Sequence, residues 1–361
     1  MRESRVTISE DQASRLRAMV EAMQRRPAAP AAGAAVRQHA PRPASPIAPA
    51  PAPPIAKRSA RVVSIASGKG GVGKTSAAVN LAICLVQMRQ RVTLLDADLG
   101  MANADVLCGL TPTRRLEQFV GVADAPAASA PSAPPARRSI TEIAMDAPGG
   151  FRLIPGSVGV SRMAELSGDE RDRLMASLAE LDQSTDVIVV DTGAGLGREV
   201  IGFSRAADLA IVIATPEPTS IADAYALIKC ILHGDRGKAR PLRPPSPDGG
   251  LPRVVLVVNQ ASDQREAAAV HARMAAVCQR FLGYTLPLLG WIMHDARVPA
   301  SVRSRRPLLL SAPGSPAAGA VRALAGAVAR ELRLESGAPA PARGGGSGGL
   351  SGLLSRVLRG G

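Results

Sequence analysis

A glycine-rich run close to residue 70 carries the residue types that bind phosphate. Residues 68–75 read G-K-G-G-V-G-K-T, which fits the pattern G-x-x-x-x-G-K-[ST]. In that pattern the glycines let consecutive backbone N–H groups turn toward a phosphate, and the following helix amino terminus adds partial positive charge. Lys74 would reach the β- and γ-phosphates, and the Thr75 hydroxyl would ligate Mg²⁺. The residues predicted to contact a nucleoside triphosphate here are Gly68, Lys69, Gly70, Gly71, Val72, Gly73, Lys74, Thr75 and Ser76.

The phosphate-binding run lies between a predicted strand and a predicted helix. Residues 61–66 are an apolar stretch typical of a buried strand, and residues 76–87 predict a helix. Four further strands are predicted at 91–95, 186–190, 209–214 and 254–258. Helix-length segments separate the strands, so the sequence predicts an α/β fold, a doubly wound and mostly parallel sheet with helices on both faces.

Polar side chains stand where several predicted strands end. Asp96 and Asp98 follow the second strand, Asp191 follows the third, and Asn259 follows the fifth. An open α/β sheet binds its ligand at the carboxyl ends of its strands. We therefore expect these side chains to lie near the phosphate-binding run.

The second lysine of the run, Lys69, carries a family resemblance. The form K-G-G-x-G-K-T resembles the deviant phosphate-binding loop of the MinD/ParA family of ATPases. The resemblance implies that Lys69 crosses a dimer interface and contacts the nucleotide of the partner subunit, which links dimerisation to nucleotide state. It also implies that Asp98 orients the attacking water, so the implied catalytic residues are Lys69, Lys74 and Asp98.

The same resemblance assigns the remaining polar residues. Asp96 would support the metal and the loop, Asp105 would lie near Mg²⁺ in a first switch segment, and Asp191 would be the second carboxylate behind the metal. With Thr75, these three form the implied Mg²⁺ site. Asn259 would contact the edge of the adenine.

Several longer segments are similar to the FlhG/FleN branch of this family, the flagellar-number ATPases. They are residues 11–17, 96–105, 191–195, 215–225 and 301–307. The resemblance implies that the amino-terminal segment stimulates a polar GTPase of the signal-recognition type, FlhF. The residues implied to face that partner are Asp11, Gln12, Leu16 and Arg17.

Composition divides the chain into five parts. We expect an N-terminal partner-binding helix at 1–26, an Ala/Pro-rich linker at 27–58, an ATPase domain at 59–334, a Gly-rich linker at 335–349 and a C-terminal amphipathic helix at 350–361. An inserted loop is predicted at 123–136, where alanine and proline dominate again.

The C-terminal segment has the pattern of a membrane-surface helix. Arg356 and Arg359 lie beside an apolar face, where they could meet anionic head groups. The residues of that apolar face are Leu350, Leu353, Leu354, Val357 and Leu358. So short a helix binds weakly alone, but two of them in an ATP dimer bind with avidity. Docking of this helix onto its own domain is compatible with the same pattern.

Composition agrees with a cytoplasmic protein. No apolar run approaches the ~20 residues of a membrane span, and four scattered cysteines indicate reduced thiols. The 44 basic against 30 acidic residues give a net charge of +14. The basic cluster Arg297, Arg303, Arg305 and Arg306 lacks interleaved aromatics, so a solvated surface is favoured over DNA binding.

The sequence as a whole predicts an ATPase that alternates between an ADP monomer and an ATP sandwich dimer on the inner face of the bacterial membrane near the pole. The implied partners are a second copy of the chain, the FlhF-type GTPase, a flagellar transcription activator, switch-complex proteins and anionic lipid. The alternatives are placement of the division site, partition of DNA or cargo, and a nucleotide-gated adaptor whose turnover does not matter.

Overall fold

The structure, a computed structural model, describes residues 60–98, 102–112, 143–156, 184–233 and 252–334. The amino-terminal segment, both linkers, the 123–136 insertion and the C-terminal helix lie outside these described residues, so the predictions made for them stay predictions. Nothing in the described part is a helix long and apolar enough to cross a bilayer.

Strands and helices alternate along the described chain. The strands are β1 (Arg61–Ser67), β2 (Val92–Ala97), β3 (Met145–Asp146), β4 (Arg152–Ile154), β5 (Val187–Ala194), β6 (Leu209–Ala214), β7 (Arg253–Ala261) and β8 (Leu288–Met293). The helices are α1 (Lys74–Gln87), α2 (Ala104–Leu107), α3 (Arg198–Ala206), α4 (Pro218–His233), α5 (Gln264–Leu282), α6 (Arg297–Arg303), α7 (Leu308–Ser311) and α8 (Pro316–Leu332).

The described strands form one sheet in the order β3-β4-β2-β5-β1-β6-β7-β8. All neighbours pair in parallel except β3 and β4, which are antiparallel at one edge. Strand β1 lies between β5 and β6 and is parallel to both. The segments that follow these three strands therefore meet beyond their carboxyl ends, on one side of the sheet. The predicted mostly parallel α/β sheet is confirmed.

Side chains of the central strands alternate between two cores. Ile211 and Ile213 of β6 belong to the cluster that includes α1 and α8, whereas Ala210 and Val212 belong to the cluster that includes α4 and α5. Successive side chains of a strand point to opposite faces. The predicted helical cover on both faces is therefore confirmed, and the two cores are mainly aliphatic.

The strands extend further than their apolar runs indicate. Asp96 lies inside β2, Asp191 inside β5 and Asn259 inside β7, although the sequence placed all three after a strand. Backbone pairing continues past the first polar side chain, because Asp96 pairs with Asp191 and Ala97 with Thr192 between β2 and β5. The first polar side chain marks where the apolar core ends, although Asp96 and Asp191 are still buried. The strand itself ends where backbone pairing stops.

Strand β8 carries the single tryptophan of the chain, Trp291. It is partly buried, pairs with Val258 of β7, and packs against the core beneath α5. The four cysteines Cys84, Cys108, Cys230 and Cys278 are free thiols, and only Cys230 is not fully buried.

Candidate active site

The glycine-rich run forms the turn between β1 and α1. Gly73 precedes α1 with φ 90° and ψ 25°, a left-handed conformation that glycine adopts readily. Gly68 packs so closely on α4 that a Cβ there would lie 2.2 Å from the carbonyl oxygen of Asp223. The loop is therefore fixed between its own strand and helix and the beginning of α4.

Lys74 opens α1 as a buried cation, with only 7% of its surface exposed. Burial lowers its pKa, and the charges of Asp191 and Asp98 oppose that change. A buried lysine at this position of a phosphate-binding loop faces the place where negative phosphate charge is expected. The structure thus brings Lys74, Asp98 and Asp191 together, as the sequence predicted.

Asp191 is a buried carboxylate beside a second one. It pairs in register with Asp96 on β2, and burial, followed by the charge of Asp96, raises its pKa to about 7. The Thr75 hydroxyl lies close enough to lower that pKa partly, yet no group in the described part of the chain gives either oxygen a hydrogen bond of regular geometry. Buried polar atoms without partners are costly, so these oxygens are suited to a ligand.

Asp96 holds the segment that follows β2. Its Oδ1 accepts a hydrogen bond from the Asp98 amide at 3.1 Å, and its Oδ2 accepts one from the Ala104 amide at 3.0 Å. Burial raises its pKa to about 6 despite these bonds. Both carboxylate oxygens of Asp96 therefore bind the backbone of the segment after β2, which is the loop-supporting part of the predicted role. The contact of Asp96 with the metal stays a prediction.

Asp105 and Asp98 complete the acidic cluster. Asp105 is buried in α2, accepts a hydrogen bond from the Val106 amide at 2.8 Å, and contributes its charge to the raised pKa of Asp96. Asp98 faces the end of β5, because its Oδ1 would lie 3.4 Å from a Cβ on Gly193. Asp98, directly after β2, therefore lies beside the last residues of β5.

These residues fit Mg²⁺ held together with a nucleotide. Within the described residues, no three His, Cys, Asp or Glu side chains form a metal-binding group by themselves. Mg²⁺ usually binds through one or two carboxylates, substrate phosphates and water, so it needs no such group. The partnerless oxygens of Asp191, next to Thr75 and Lys74, match that requirement.

Lys69 makes a contact that the sequence did not predict. Its Nζ lies 2.6 Å from Oε2 of Glu217 and 3.1 Å from Oγ1 of Thr219. Both acceptors belong to the T-P-E-P-T-S segment at the start of α4. That segment was visible in the sequence, but no local pattern connects it to a residue 148 positions earlier.

Asn259 supports the phosphate-binding loop. Its Nδ2 donates to the Val72 carbonyl at 2.7 Å, and the next residue, Gln260, has a left-handed φ of 60° and donates to the Gly71 carbonyl at 3.3 Å. A cavity of about 550 Å³ opens beside them. It is lined by Thr215, Pro216, Glu217, Gln260, Ser262, Glu266 and His294. The contact of Asn259 with adenine stays a prediction.

The remaining predicted residues are either exposed or outside the described chain. Arg297 and Arg303 of α6, with Arg305 and Arg306 after it, are all exposed, in agreement with a solvated basic surface. The predicted partner-binding residues and the predicted membrane-facing residues belong to the undescribed ends.

Fold and loop together define a P-loop nucleotide-binding protein. Residues 63–308 match the model of the CobQ/CobB/MinD/ParA nucleotide-binding domain. The antiactivator FleN of Pseudomonas aeruginosa is 36% identical over 265 residues, which cover 73% of this chain and 85% of FleN. The flagellum site-determining protein YlxH of Helicobacter pylori is 30% identical over 284 residues, covering 78% of this chain and 85% of YlxH.

Solved structures agree on the fold. The cell division ATPase MinD of Pyrococcus furiosus superposes with a TM-score of 0.55 at 22% identity, covering 75% of this chain and 98% of that one. MinD of Pyrococcus horikoshii, complexed with Mg-ADP, gives 0.54 at 22% identity, with 74% and 96% covered. The chain belongs to the MinD/ParA family of ATPases, within its FlhG/FleN branch.

Proposed function

We propose that this ATPase controls the number and placement of flagella by switching between an ADP-bound monomer and an ATP-bound sandwich dimer. The observation that carries the ATPase part is the buried Lys74 below a phosphate-binding loop, with Asp98 and Asp191 beside it. The similarity to FleN and YlxH, whose names refer to an antiactivator and to a flagellum site, supports the cellular role.

In the proposed reaction, a water molecule attacks the γ-phosphorus as the bond to the β,γ-bridging oxygen breaks, which yields ADP and phosphate. Lys74 neutralises charge on the phosphates, and Asp98 orients the water. Thr75 and Asp191 would hold Mg²⁺, which would supply further charge neutralisation. Asp96 keeps Asp98 in place by accepting its backbone N–H.

Dimerisation would complete the site. Lys69 of each protomer reaches the nucleotide of the other, so the dimer forms only with the triphosphate bound. Two C-terminal helices then meet an anionic membrane together, and their combined avidity ties membrane residence to nucleotide state. The amino-terminal segment, through Asp11, Gln12, Leu16 and Arg17, stimulates the FlhF-type GTPase.

The test is GTP turnover by the FlhF-type GTPase in the presence of the full-length chain. We expect the wild-type chain to raise turnover, and the variant Gln12→Ala to abolish the rise while ATP hydrolysis is kept. Lys74→Ala is the matched control for ATP hydrolysis. Its rate of ATP hydrolysis should fall at least about 100-fold, because the phosphate charge is no longer neutralised.

A chain that hydrolyses ATP but leaves an active GTPase unstimulated would contradict the flagellar part of the proposal. Placement of the division site would then be the next hypothesis to test.

A further inference from the structure

A run of exposed residues, V-R-S-R-R at 302–306, lies between two buried ones at the end of α6. We call this run the basic turn. Ser301 before it and Pro307 after it are both buried, so the two ends of the turn are anchored in the fold. The arginines that it exposes to solvent are Arg303, Arg305 and Arg306.

Hydrogen bonds fix the backbone of the basic turn. The Arg305 amide donates to the Val302 carbonyl at 3.0 Å, and the Arg306 amide donates to the Ser301 carbonyl at 3.1 Å. The Ser304 hydroxyl also donates to the Ser301 carbonyl, at 3.0 Å. Arg305 has a left-handed φ of 50°, as is usual where a helix is closed in this way. Because the backbone is already ordered, a ligand of the turn restricts side chains alone, and the entropy lost on binding is smaller.

Direct contacts connect the basic turn to the nucleotide-binding part of the fold. A Cβ on Gly109, which lies two residues after α2, would be 3.0 Å from the Arg305 carbonyl oxygen. Beyond the turn, the Leu309 amide donates to Oδ1 of Asn80 at 2.9 Å, and Nδ2 of Asn80 donates to the Ser76 carbonyl at 2.7 Å. The turn is therefore held against the segment after α2 and tied to the first turns of α1.

The charge of the basic turn is not balanced by the part of the chain that the structure describes. Arginines at the amino ends of three strands each have a carboxylate partner, and these pairs are Arg61–Asp208, Arg91–Asp186 and Arg253–Glu331. Among the described residues, no carboxylate forms such a pair with an arginine of the basic turn. Guanidinium groups bind carboxylates through paired hydrogen bonds. The turn thus presents guanidinium groups to carboxylates from another molecule.

The basic turn also carries an apolar side chain, because Val302 is 44% exposed. Phosphates of a nucleic acid or of a lipid head group could bind the arginines, but they offer Val302 no apolar contact. The turn also lacks the aromatic side chains on which single-stranded nucleic acids stack. An acidic stretch of polypeptide can supply carboxylates and an apolar side chain together, so it fits the turn best.

We propose that the basic turn is a docking site for an acidic segment of a partner protein. Carboxylates of that segment bind Arg303, Arg305 and Arg306, and an apolar side chain of the segment packs on Val302. The turn is solvated in the isolated chain, and the acidic segment replaces that water. This docking site goes beyond the proposed function and does not depend on it, since it requires neither ATP hydrolysis nor the FlhF-type GTPase.

The experiment measures binding of a labelled peptide to the full-length chain by fluorescence anisotropy. The peptide consists of glutamate and serine around one central leucine. In the combined variant Arg303→Gln, Arg305→Gln and Arg306→Gln, the affinity should fall at least about tenfold, because three ion pairs of about threefold each are lost. Val302→Ser should weaken binding about threefold through the lost apolar contact and leave the salt dependence unchanged.

The combined variant Arg265→Gln, Arg330→Gln and Arg333→Gln is the matched control. It removes the same net charge from exposed arginines of α5 and of the end of α8. We expect it to keep the affinity within about twofold of the wild type, as for distant, screened charges. An equal loss in both combined variants would show that net charge acts rather than the turn, and would overturn the proposal.

Two further probes distinguish the kinds of partner. Single-stranded DNA and anionic vesicles are offered to the wild type and to both combined variants. If the basic-turn variant loses one of these probes and keeps the acidic peptide, the turn binds phosphate groups and the proposal is wrong. The proposal is also wrong if the wild type binds the peptide no better than its glutamine counterpart. None of these results bears on ATP hydrolysis or GTPase stimulation, so the proposed function would stand or fall separately.

Discussion

Two carboxylates on neighbouring strands, Asp96 and Asp191, lie side by side because their strands pair in register at that point. Burial is the main reason that the pKa of each is raised, and each pKa would be lower in water. Both residues could be identified as site residues from the sequence, because each is an acidic residue that follows an apolar run. Their mutual contact was not, since it depends on the register of two strands far apart in the chain.

The raised pKa of Asp191 predicts how the stability of the nucleotide-free chain depends on pH. The folded chain keeps the proton up to pH about 7, whereas the unfolded chain releases it near 3.8. The folded state therefore binds more protons between these values, and the free energy of unfolding falls as pH rises through this window. Asp191→Asn should remove this contribution and be more stable than the wild type at pH 8 by on the order of 2 kcal/mol.

Urea denaturation of the nucleotide-free and magnesium-free chain at pH 6 and pH 8 measures this difference. Asp146→Asn serves as the control, because Asp146 is an exposed carboxylate at the edge of the sheet. If Asp191→Asn and the wild type show the same pH dependence, the burial of an ionisable group at this position does not control stability.

At the scale of elements, the contact of the glycine-rich loop with α4 is the part of the site with the least room for an added side-chain atom. A Cβ on Gly68 would overlap the Asp223 carbonyl, whereas a Cβ on Gly70 would have nothing within 4 Å. Gly68→Ala must push the loop away from α4, and overpacking of this kind costs about 1–3 kcal/mol. Gly70→Ala should change the unfolding free energy by less than about 1 kcal/mol.

Thermal unfolding of the two variants without nucleotide compares the two glycines directly. The Gly68→Ala midpoint should be several degrees lower, of the order of 4 °C, while the Gly70→Ala midpoint should stay near that of the wild type. Equal midpoints would mean that α4 moves to accept the added methyl group without cost.

The elements themselves were largely predictable, and their ends were not. The apolar runs at 209–214 and 254–258 located β6 and β7, because a strand covered on both faces needs a continuous apolar sequence. Asn259 nevertheless belongs to β7, since pairing with β8 continues to Ala261. Strands β3 and β4 were missed because two or three residues give no detectable period. The six-residue edge strand β8 was missed as well.

The same limit explains what was missed in the site. Lys69 was identified by its position in the loop, but its actual acceptors, Glu217 and Thr219, follow a different strand. Only the order of the strands, with β6 directly beside β1, brings the two segments together. A motif read along the chain gives the residues of a site but not the contacts between motifs.

At the scale of the whole molecule, we predict that nucleotide state controls membrane binding through the C-terminal helix. The full-length chain with Mg²⁺ and an ATP analogue should bind anionic vesicles at least about 10-fold more tightly than with ADP, because two helices insert together. Leu354→Asp places a charge in the predicted apolar face and should abolish the difference.

Ser355→Asp is the matched change on the polar face and should keep most of the nucleotide-dependent binding, since it alters net charge by the same amount. Vesicle co-sedimentation gives the comparison. If a chain without residues 350–361 still binds vesicles in the ATP state, a different surface of the molecule holds the membrane.

The near absence of aromatic residues also has a spectroscopic consequence. Trp291 is the one indole of the chain, and it sits on β8 a short distance before His294, which lines the cavity next to the phosphate-binding loop. Its emission therefore reports from one known place. Ligand binding in the cavity and unfolding of the sheet should each change the wavelength or intensity of the Trp291 emission. The native chain therefore reports both events without an added fluorophore.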